Sequence, residues 1–356
     1  MSRIYLDHAA TTPLRPEAAE AMREGYERWA NPSSPHAEGR AARAALEDAR
    51  ERVKAALGWQ GELVFTSGAS EALTIGLRRA KADRRLISAV EHDAVFRAAP
   101  DAEVLPISAG RLDPDALAKA LARPGRPVVA VQAINSETGT VLLPHDDASV
   151  VGRVREAGGL FLADCSQSAG RVPLPDADLA VVSAHKLGGP IGIGALLVRD
   201  FAMLEPSGGQ ERGYRTGTEN LPAALGFAAA LEVGGIETWP TSYPHRFEFK
   251  DLLSRKGEVL RPGVQCSHVI AVASERLSAA ALLIRFDAMG FSISAGSACS
   301  SGTLKQSRAL AAFGIDPDLA ARTVRVSIGW TTTPADLDAF ARAWLDVAND
   351  PSVAAA

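Results

Sequence analysis

The sequence predicts an α/β protein with a large domain on a mostly parallel sheet and a smaller α+β domain toward the C-terminus. Three observations predict it. Short, wholly apolar runs recur through the first part of the chain, helix-patterned segments separate most of them, and polar residues follow several run ends. The last feature matters for function, because open α/β sheets place their ligands past the carboxyl ends of their strands.

The elements follow in order. Residues 36–57, "HAEGRAARAALEDARERVKAAL", are rich in Ala, Leu, Glu and Arg and stop at Gly58, which predicts a helix with a glycine cap. Strand-like runs are "ELVFT" (62–66), "RLISAV" (85–90), "VVAVQA" (128–133), "LFLAD" (160–164), "LAVVSA" (179–184) and "GALLVR" (194–199). Helical patterns between them include 70–81 and 114–122. Only a short connection joins the last two runs, which leaves an antiparallel pair open there. The stretch 232–263, with Gly234–Gly235, Pro240, Pro244 and Pro262, reads as the passage to the second domain. Strand-like "HVIAVA" and "VRVSI" and helix-like "AAALLIRFDAM" and "PADLDAFARAWLDVA" follow it.

Composition narrows the function classes. The 356 residues are 47% hydrophobic and 22% charged, with a formal net charge of −4. This is the balance of an ordinary globular chain, and it points to neither a nucleic-acid nor an anionic-membrane partner. No basic stretch followed by an apolar run opens the sequence, and no apolar run approaches a membrane span, so a cytoplasmic location is expected. The three cysteines, Cys165, Cys266 and Cys299, form no CxxC pair. Individual thiols in a reducing compartment are expected, without a metal site.

Several strand ends carry chemistry. In "AVVSAHKLGGP" (180–190) a buried run leads straight into His185–Lys186. A lysine there is either a solvated junction residue, the more common case, or an amine used for Schiff-base chemistry. Asp164 ends "LFLAD", where a carboxylate caps a turn or serves a cofactor. A lysine with a carboxylate is the pair that pyridoxal 5'-phosphate requires, the carboxylate keeping the pyridine nitrogen protonated. "FTSGASEALTIGL" places Ser67–Gly68–Ala69–Ser70 between a strand and a helix, a start suited either to a phosphate or to ordinary capping. His92 in "VEHDAV" follows another run and is either a helix-start residue or a ring-stacking, proton-transferring group. Cys299 lies in "SISAGSACSSG" (292–302), whose glycines and serines favour a loop, although free cysteine is most often buried.

Taken together, these motifs resemble the cysteine desulfurases of the class V aminotransferase group, nearest the nitrogen-fixation and iron–sulfur-cluster type. The likeness runs in order through "YLDHAATTP" (5–13), "NPSSPHAEGR" (31–40), "FTSGASEA", "VEHDAV", "INSETG", "ADCSQSAG", "SAHKLGGPIGIGALLV", "GGQERGYRTGTEN", "SAGSACSSG" and "VRVSIG". The resemblance implies a fold-type I pyridoxal-phosphate enzyme acting as a homodimer, with a seven-stranded sheet in the large domain. It implies a large domain over 15–232, with 1–14 and 233–356 forming the small domain that carries the cysteine loop. Lys186 would carry the internal aldimine, Asp164 would pair with the ring nitrogen, His92 would stack on the ring, and Gln167 would contact its hydroxyl. Ala69, Ser70, Ser183 and His185 would hold the phosphate, with Thr218 reaching across from the other subunit. Arg325 would grip the substrate carboxylate, with Asn135 nearby, although "INSETG" reads Asn-Ser where many members read Asn-Asn. Cys299 falls on the nucleophile, which takes sulfur from L-cysteine as a persulfide while L-alanine departs. The acceptor expected is a sulfur-accepting protein such as an iron–sulfur scaffold, with transient cluster ligation by Cys299 included among its roles. Selenocysteine lyase or another class V reaction is the nearest alternative, and a non-enzymatic sulfur carrier or scaffold is the alternative of a different class. A carrier needs only the cysteine, so Lys186, Asp164, His92 and Arg325 together argue against it.

Overall fold

A computed structural model describes residues 3–144, 148–295 and 307–350. The chain begins with β1 (Ile4–Tyr5), α1 (Pro16–Glu27) and α2 (Ala37–Leu57). Next come β2 (Glu62–Thr66), α3 (Ala69–Arg79), β3 (Arg84–Ser88), α4 (Asp93–Ala98) and β4 (Glu103–Leu105). A hairpin of β5 (Ile107–Ser108) and β6 (Arg111–Leu112) leads to α5 (Pro114–Leu121) and β7 (Pro127–Gln132). After α6 (Ser149–Glu156) come β8 (Leu160–Asp164), β9 (Leu179–Ser183), β10 (Gly194–Val198) and α7 (Leu221–Glu232). Then follow α8 (Tyr243–Ser254), β11 (Gly257–Val259), β12 (Val269–Ser274) and α9 (Ala279–Ala288). The described residues end with β13 (Phe291–Ser292), β14 (Ser294–Ala295), α10 (Arg308–Ala312), α11 (Pro317–Ala321), β15 (Thr323–Ser327) and α12 (Pro334–Asn349).

Seven strands form the main sheet in the order β2-β10-β9-β8-β7-β3-β4. Only β10 runs antiparallel to its neighbours, so the carboxyl ends of β2, β3, β7, β8 and β9 lie along one edge. The pair left open by the sequence, β9 and β10, is therefore antiparallel. Period-two alternation sorts the side chains into two cores. Phe65, Val129, Val131, Phe161, Ala163 and Val182 pack on one face, with Val64, Val128, Ala130, Leu162, Val181 and Leu196 on the other. Both faces are covered, which is why the strands are apolar throughout rather than alternating.

Helix α7 explains how the first face closes. Residues Ala223 to Leu231 are all buried, and the helix packs against α1 and α2. A Cβ at Gly25 would lie 2.6 Å from Pro222 Cα, and one at Gly226 would lie 2.6 Å from Met22 Cγ, so this helix pair needs both glycines. Helix α2 is capped as expected. The His36 ring accepts from Gly39 N at 3.2 Å, and Gly58 ends the helix at φ 65°.

A second sheet, β11-β12-β15-β14, is wholly antiparallel. Its core gathers Phe249, Phe286, Phe340 and Trp344 under α8, α9 and α12. The N-terminal residues join this unit: β1 pairs with β13, and Asp7 bridges to Ser327 at the end of β15. Among the described residues, no helix is long and apolar enough to cross a membrane.

Candidate active site

The aligned strand ends open into a cavity of about 480 Å³. Ala69, Ser70, His92, Asp164, Gln167, Ser183, His185, Lys186 and Arg325 all line it, so residues far apart in sequence meet there. Each arrives for a local reason.

On the β2 side, Gly68 turns the chain into α3 with φ 145°, a conformation that favours glycine. The N-terminal turn of this 11-residue helix then presents Ala69 and Ser70 to the cavity, with the positive end of the helix dipole behind them. On the β3 side, His92 caps α4, its Nδ1 accepting from Ala94 N at 3.2 Å. That contact places the proton of a neutral imidazole on Nε2. Burial, reinforced by Lys186, pushes the His92 pKa below the ordinary imidazole range.

At the end of β8, Asp164 is held by Ser166, whose N and Oγ donate to Oδ1 at 2.9 and 2.6 Å. Oδ2 accepts no hydrogen bond among the described residues, which leaves it for the cavity. Gln167 donates through Nε2 to Ala9 O at 2.8 Å, while its buried Oε1 has no partner among the described residues. At the end of β9, Ser183 leads into the helical turn Ala184–Lys186. The carbonyl of Lys186 accepts from Thr12 Oγ1 at 3.0 Å and from the Arg171 guanidinium. His185 Nδ1 meets Thr11 Oγ1 at 3.1 Å, and burial, with Lys186 adding to it, pushes His185 down to about 4. Both strand-end histidines are therefore neutral at physiological pH.

Arg325 comes from β15 of the second sheet and closes the cavity from that side. Its Nη1 donates to Ser136 O at 3.0 Å and its Nη2 to Asp7 Oδ1 at 2.7 Å.

Two expected residues stand elsewhere. Asn135 is buried and does not line the cavity. Its Oδ1 accepts from Glu137 N, Thr138 N and Thr138 Oγ1, and its Nδ2 donates to Val90 O at 3.3 Å. The side chain is spent on the turn after β7, and Ser136 is the residue that reaches the cavity. Thr218 is exposed, away from the cavity of its own chain. Cys299 lies outside the described residues. Of the other cysteines, Cys165 is fully buried, and burial pushes its thiol up to about 12, which suits packing rather than chemistry.

Residue-level reading did not single out Asp7, Glu91 or Arg171. Asp7 pairs with Arg325 at the cavity rim, and Glu91 sits behind it, accepting from Gln132 N at 2.9 Å. Arg171 grips the carbonyls of Gln167 and Lys186 from below. For Asp7 there was a signal: like Asp164, it follows an apolar stretch, "IYL".

A lysine, a free carboxylate oxygen, an anion-suited helix start and a guanidinium around one cavity define the class of site that holds a charged cofactor against an amino acid. The sequence matches the family Aminotransferase class-V over residues 4–340, and the chain belongs to that family. It is 37% identical to a cysteine desulfurase of Cereibacter sphaeroides, over 95% of this chain and 94% of the relative. It is 33% identical to the cysteine desulfurase IscS of Dictyoglomus turgidum, over 94% and 92%. Among solved structures, a NifS-like protein from Rickettsia africae matches with a TM-score of 0.84 at 26% identity, covering 97% of this chain and 99% of that one. SspA in complex with cysteine matches with a TM-score of 0.77 at 28% identity, covering 92% and 99%.

Proposed function

We propose that this protein is a cysteine desulfurase, which converts L-cysteine to L-alanine and takes the sulfur onto Cys299 as a persulfide. The observation that carries the reading is the meeting of Lys186, Asp164, His92 and Arg325 in one cavity, in a chain 37% identical to a named desulfurase. The residues fit pyridoxal 5'-phosphate. Gln167 Oε1 and Asp164 Oδ2 have no hydrogen-bond partner among the described residues, and the Gly68–Ser70 helix start lines the same cavity.

When bound, the cofactor supplies an electron sink for the pair left on the substrate Cα. Asp164 would keep a proton on the ring nitrogen, and Ser70, Ser183 and His185 would hold the phosphate. Arg325 would orient the substrate by its carboxylate, a task suited to a planar fork. Lys186 would take the Cα proton, and His92, whose Nδ1 is tied to Ala94 N, would act through its Nε2–H as a proton donor. In the sulfur step the Cys299 thiolate attacks the substrate sulfur and the carbon–sulfur bond breaks. The bonding pair stays on the substrate carbon, which is then protonated on the way to alanine.

The finer reading is a homodimer in the cytoplasm, with residues 1–14 and 233–356 acting as the small domain. The support for the homodimer is the exposed Thr218, together with Trp29 and Ile191, which are 79% and 80% exposed. The acceptor of the persulfide sulfur would be an iron–sulfur scaffold type of protein.

The test uses the purified protein. A yellow chromophore removed by borohydride, with alanine formed from L-cysteine, is expected. Cys299→Ala should stay yellow and lose desulfuration on the order of a thousandfold or more, whereas Lys186→Ala should lose the borohydride-sensitive chromophore. Full activity in Cys299→Ala would overturn the assignment of the nucleophile.

A further inference from the structure

The guanidinium at the cavity rim is held by the chain before any ligand arrives. Arg325 and Asp7 side chains are only 5% and 17% exposed, and they meet at 2.7 Å. Asp7 divides its carboxylate: Oδ1 takes Arg325 Nη2, and Oδ2 accepts from Ser294 Oγ at 2.7 Å. Ser294 and Arg325 are cross-strand partners on β14 and β15, and the Asp7 backbone bridges to Ser327 two residues further along β15. The three side chains therefore form a short chain of hydrogen bonds whose ends are fixed to the same sheet.

A guanidinium has five N–H donors. Asp7 and Ser136 O take one each, on different terminal nitrogens. The buried Nε has no partner among the described residues. A buried donor without an acceptor is costly, unless a ligand is meant to supply one. Two roles for Asp7 are conceivable: a stand-in carboxylate that the substrate must displace, or a clamp that aims the fork. The geometry favours the clamp. A stand-in would engage the fork with both oxygens, whereas here the second oxygen is committed to Ser294. The backbone bridge to Ser327 also leaves Asp7 little room to retreat.

We infer that Asp7 is a positioning residue for the substrate carboxylate. It fixes one arm of the Arg325 fork through a charge-assisted hydrogen bond, and so presents Nε–H and the remaining terminal N–H groups together. The inference rests on the reading of Arg325 as the carboxylate grip, and it extends that reading to residue 7, at the far end of the chain.

The test is steady-state kinetics of the holoenzyme with L-cysteine, together with equilibrium binding of L-alanine, which carries the carboxylate but no sulfur. Asp7→Asn should raise KM about tenfold with kcat within about threefold, because the ground-state and transition-state carboxylates are gripped alike. The affinity for L-alanine should fall by a similar factor, and the preference for L-cysteine over L-cysteine amide should narrow. Ser294→Ala, which frees the far end of the clamp, should shift KM the same way by a smaller factor. A fall in KM for Asp7→Asn would make Asp7 a stand-in, and an unchanged KM with unchanged L-alanine affinity would remove it from the site; either result overturns the inference. Arg325→Gln separates the two levels. If that change leaves KM and L-alanine affinity unaltered, the carboxylate grip itself is wrong; if it raises KM and weakens L-alanine binding while Asp7→Asn does neither, only the clamp is.

Discussion

Removing the charge of Glu211 strikes a fully buried ion pair. Glu211 and Arg50 meet with side chains 0% and 2% exposed, in a two-pronged pair of 2.7 and 3.1 Å. Glu211 Oε2 also accepts from Phe65 N at 2.8 Å, and Arg50 Nη1 donates to Leu63 O at 2.7 Å, so the pair is knitted into strand β2. The local backbone is costly as well. Glu211 and Arg212 have φ of 48° and 56°, ahead of Gly213 at 89°, which places two side-chain-bearing residues in the left-handed region. Glu211→Gln keeps the shape and one acceptor but leaves the buried Arg50 cation with only Glu47, 3.1 Å from its Nε and one-third exposed, as counter-charge. Breaking such a pair costs about 3–5 kcal/mol. Arg50→Met combined with Glu211→Gln removes both charges, and it is expected to recover most of that loss. The assay is urea denaturation of the holoenzyme at pH 7, followed by tryptophan fluorescence. A cost below about 1 kcal/mol for Glu211→Gln, with no recovery in the double variant, would show that Glu47 alone satisfies the Arg50 charge and would refute the reasoning.

Two further outcomes follow from buried groups near the cavity. Burial, with Asp164 adding to it, raises Glu91 from 4.5 to about 8, against the opposing hydrogen bonds from Ser88 and Gln132. The folded chain therefore holds this proton more tightly than the unfolded one. Its stabilisation is complete below pH 4.5 and is lost as pH rises through about 8, at about 1.4 kcal/mol per unit. Glu91→Gln should flatten the stability profile between about pH 5 and 8, and parallel profiles for the two proteins would refute the assignment. The second outcome concerns Gly329, where an added Cβ would overlap the ring of His8, itself only 1% exposed. Gly329→Ala should cost upwards of about 3 kcal/mol or abolish soluble expression. Combining it with His8→Ala should restore a cooperative thermal transition, and failure to do so would place the strain elsewhere.

Much of the fold was legible because buried parallel strands announce themselves. Six apolar runs became β2, β3, β7, β8, β9 and β10 with small shifts at their ends. The seventh strand of the sheet, β4, could not be read from its residues: it is three residues long, and Val104 is 48% exposed at the sheet edge. Lys186, Asp164, His92 and Ser70 were legible because each follows an apolar run whose end the sheet then aligns. Asp7 with Arg325 and Arg50 with Glu211 were not. These pairs join residues 318 and 161 positions apart, and no local pattern records which distant partner a charge will meet.

Arg171 shows what such hidden partners do for the site. It carries no motif beyond "SQSAGR", yet its Nη1 donates to Gln167 O at 3.0 Å and its Nη2 to Lys186 O. One rigid fork thus ties the loop after β8 to the turn after β9, with Trp239 against its face. No carboxylate among the described residues pairs with it, and burial pushes its pKa down to about 10, still charged at neutral pH. A cation left so exposed to its own desolvation is poor for stability alone. Its geometry, however, fixes the backbones of the two residues whose side chains must meet in the cavity. The neighbouring His8 and His268 adapt by staying neutral, both pushed to about 3 by burial, with Arg171 adding to it. The floor of the cavity is therefore held by hydrogen bonds to carbonyls rather than by opposing charges, while Asp164, Lys186, Glu71 and Arg325 line the cavity above it.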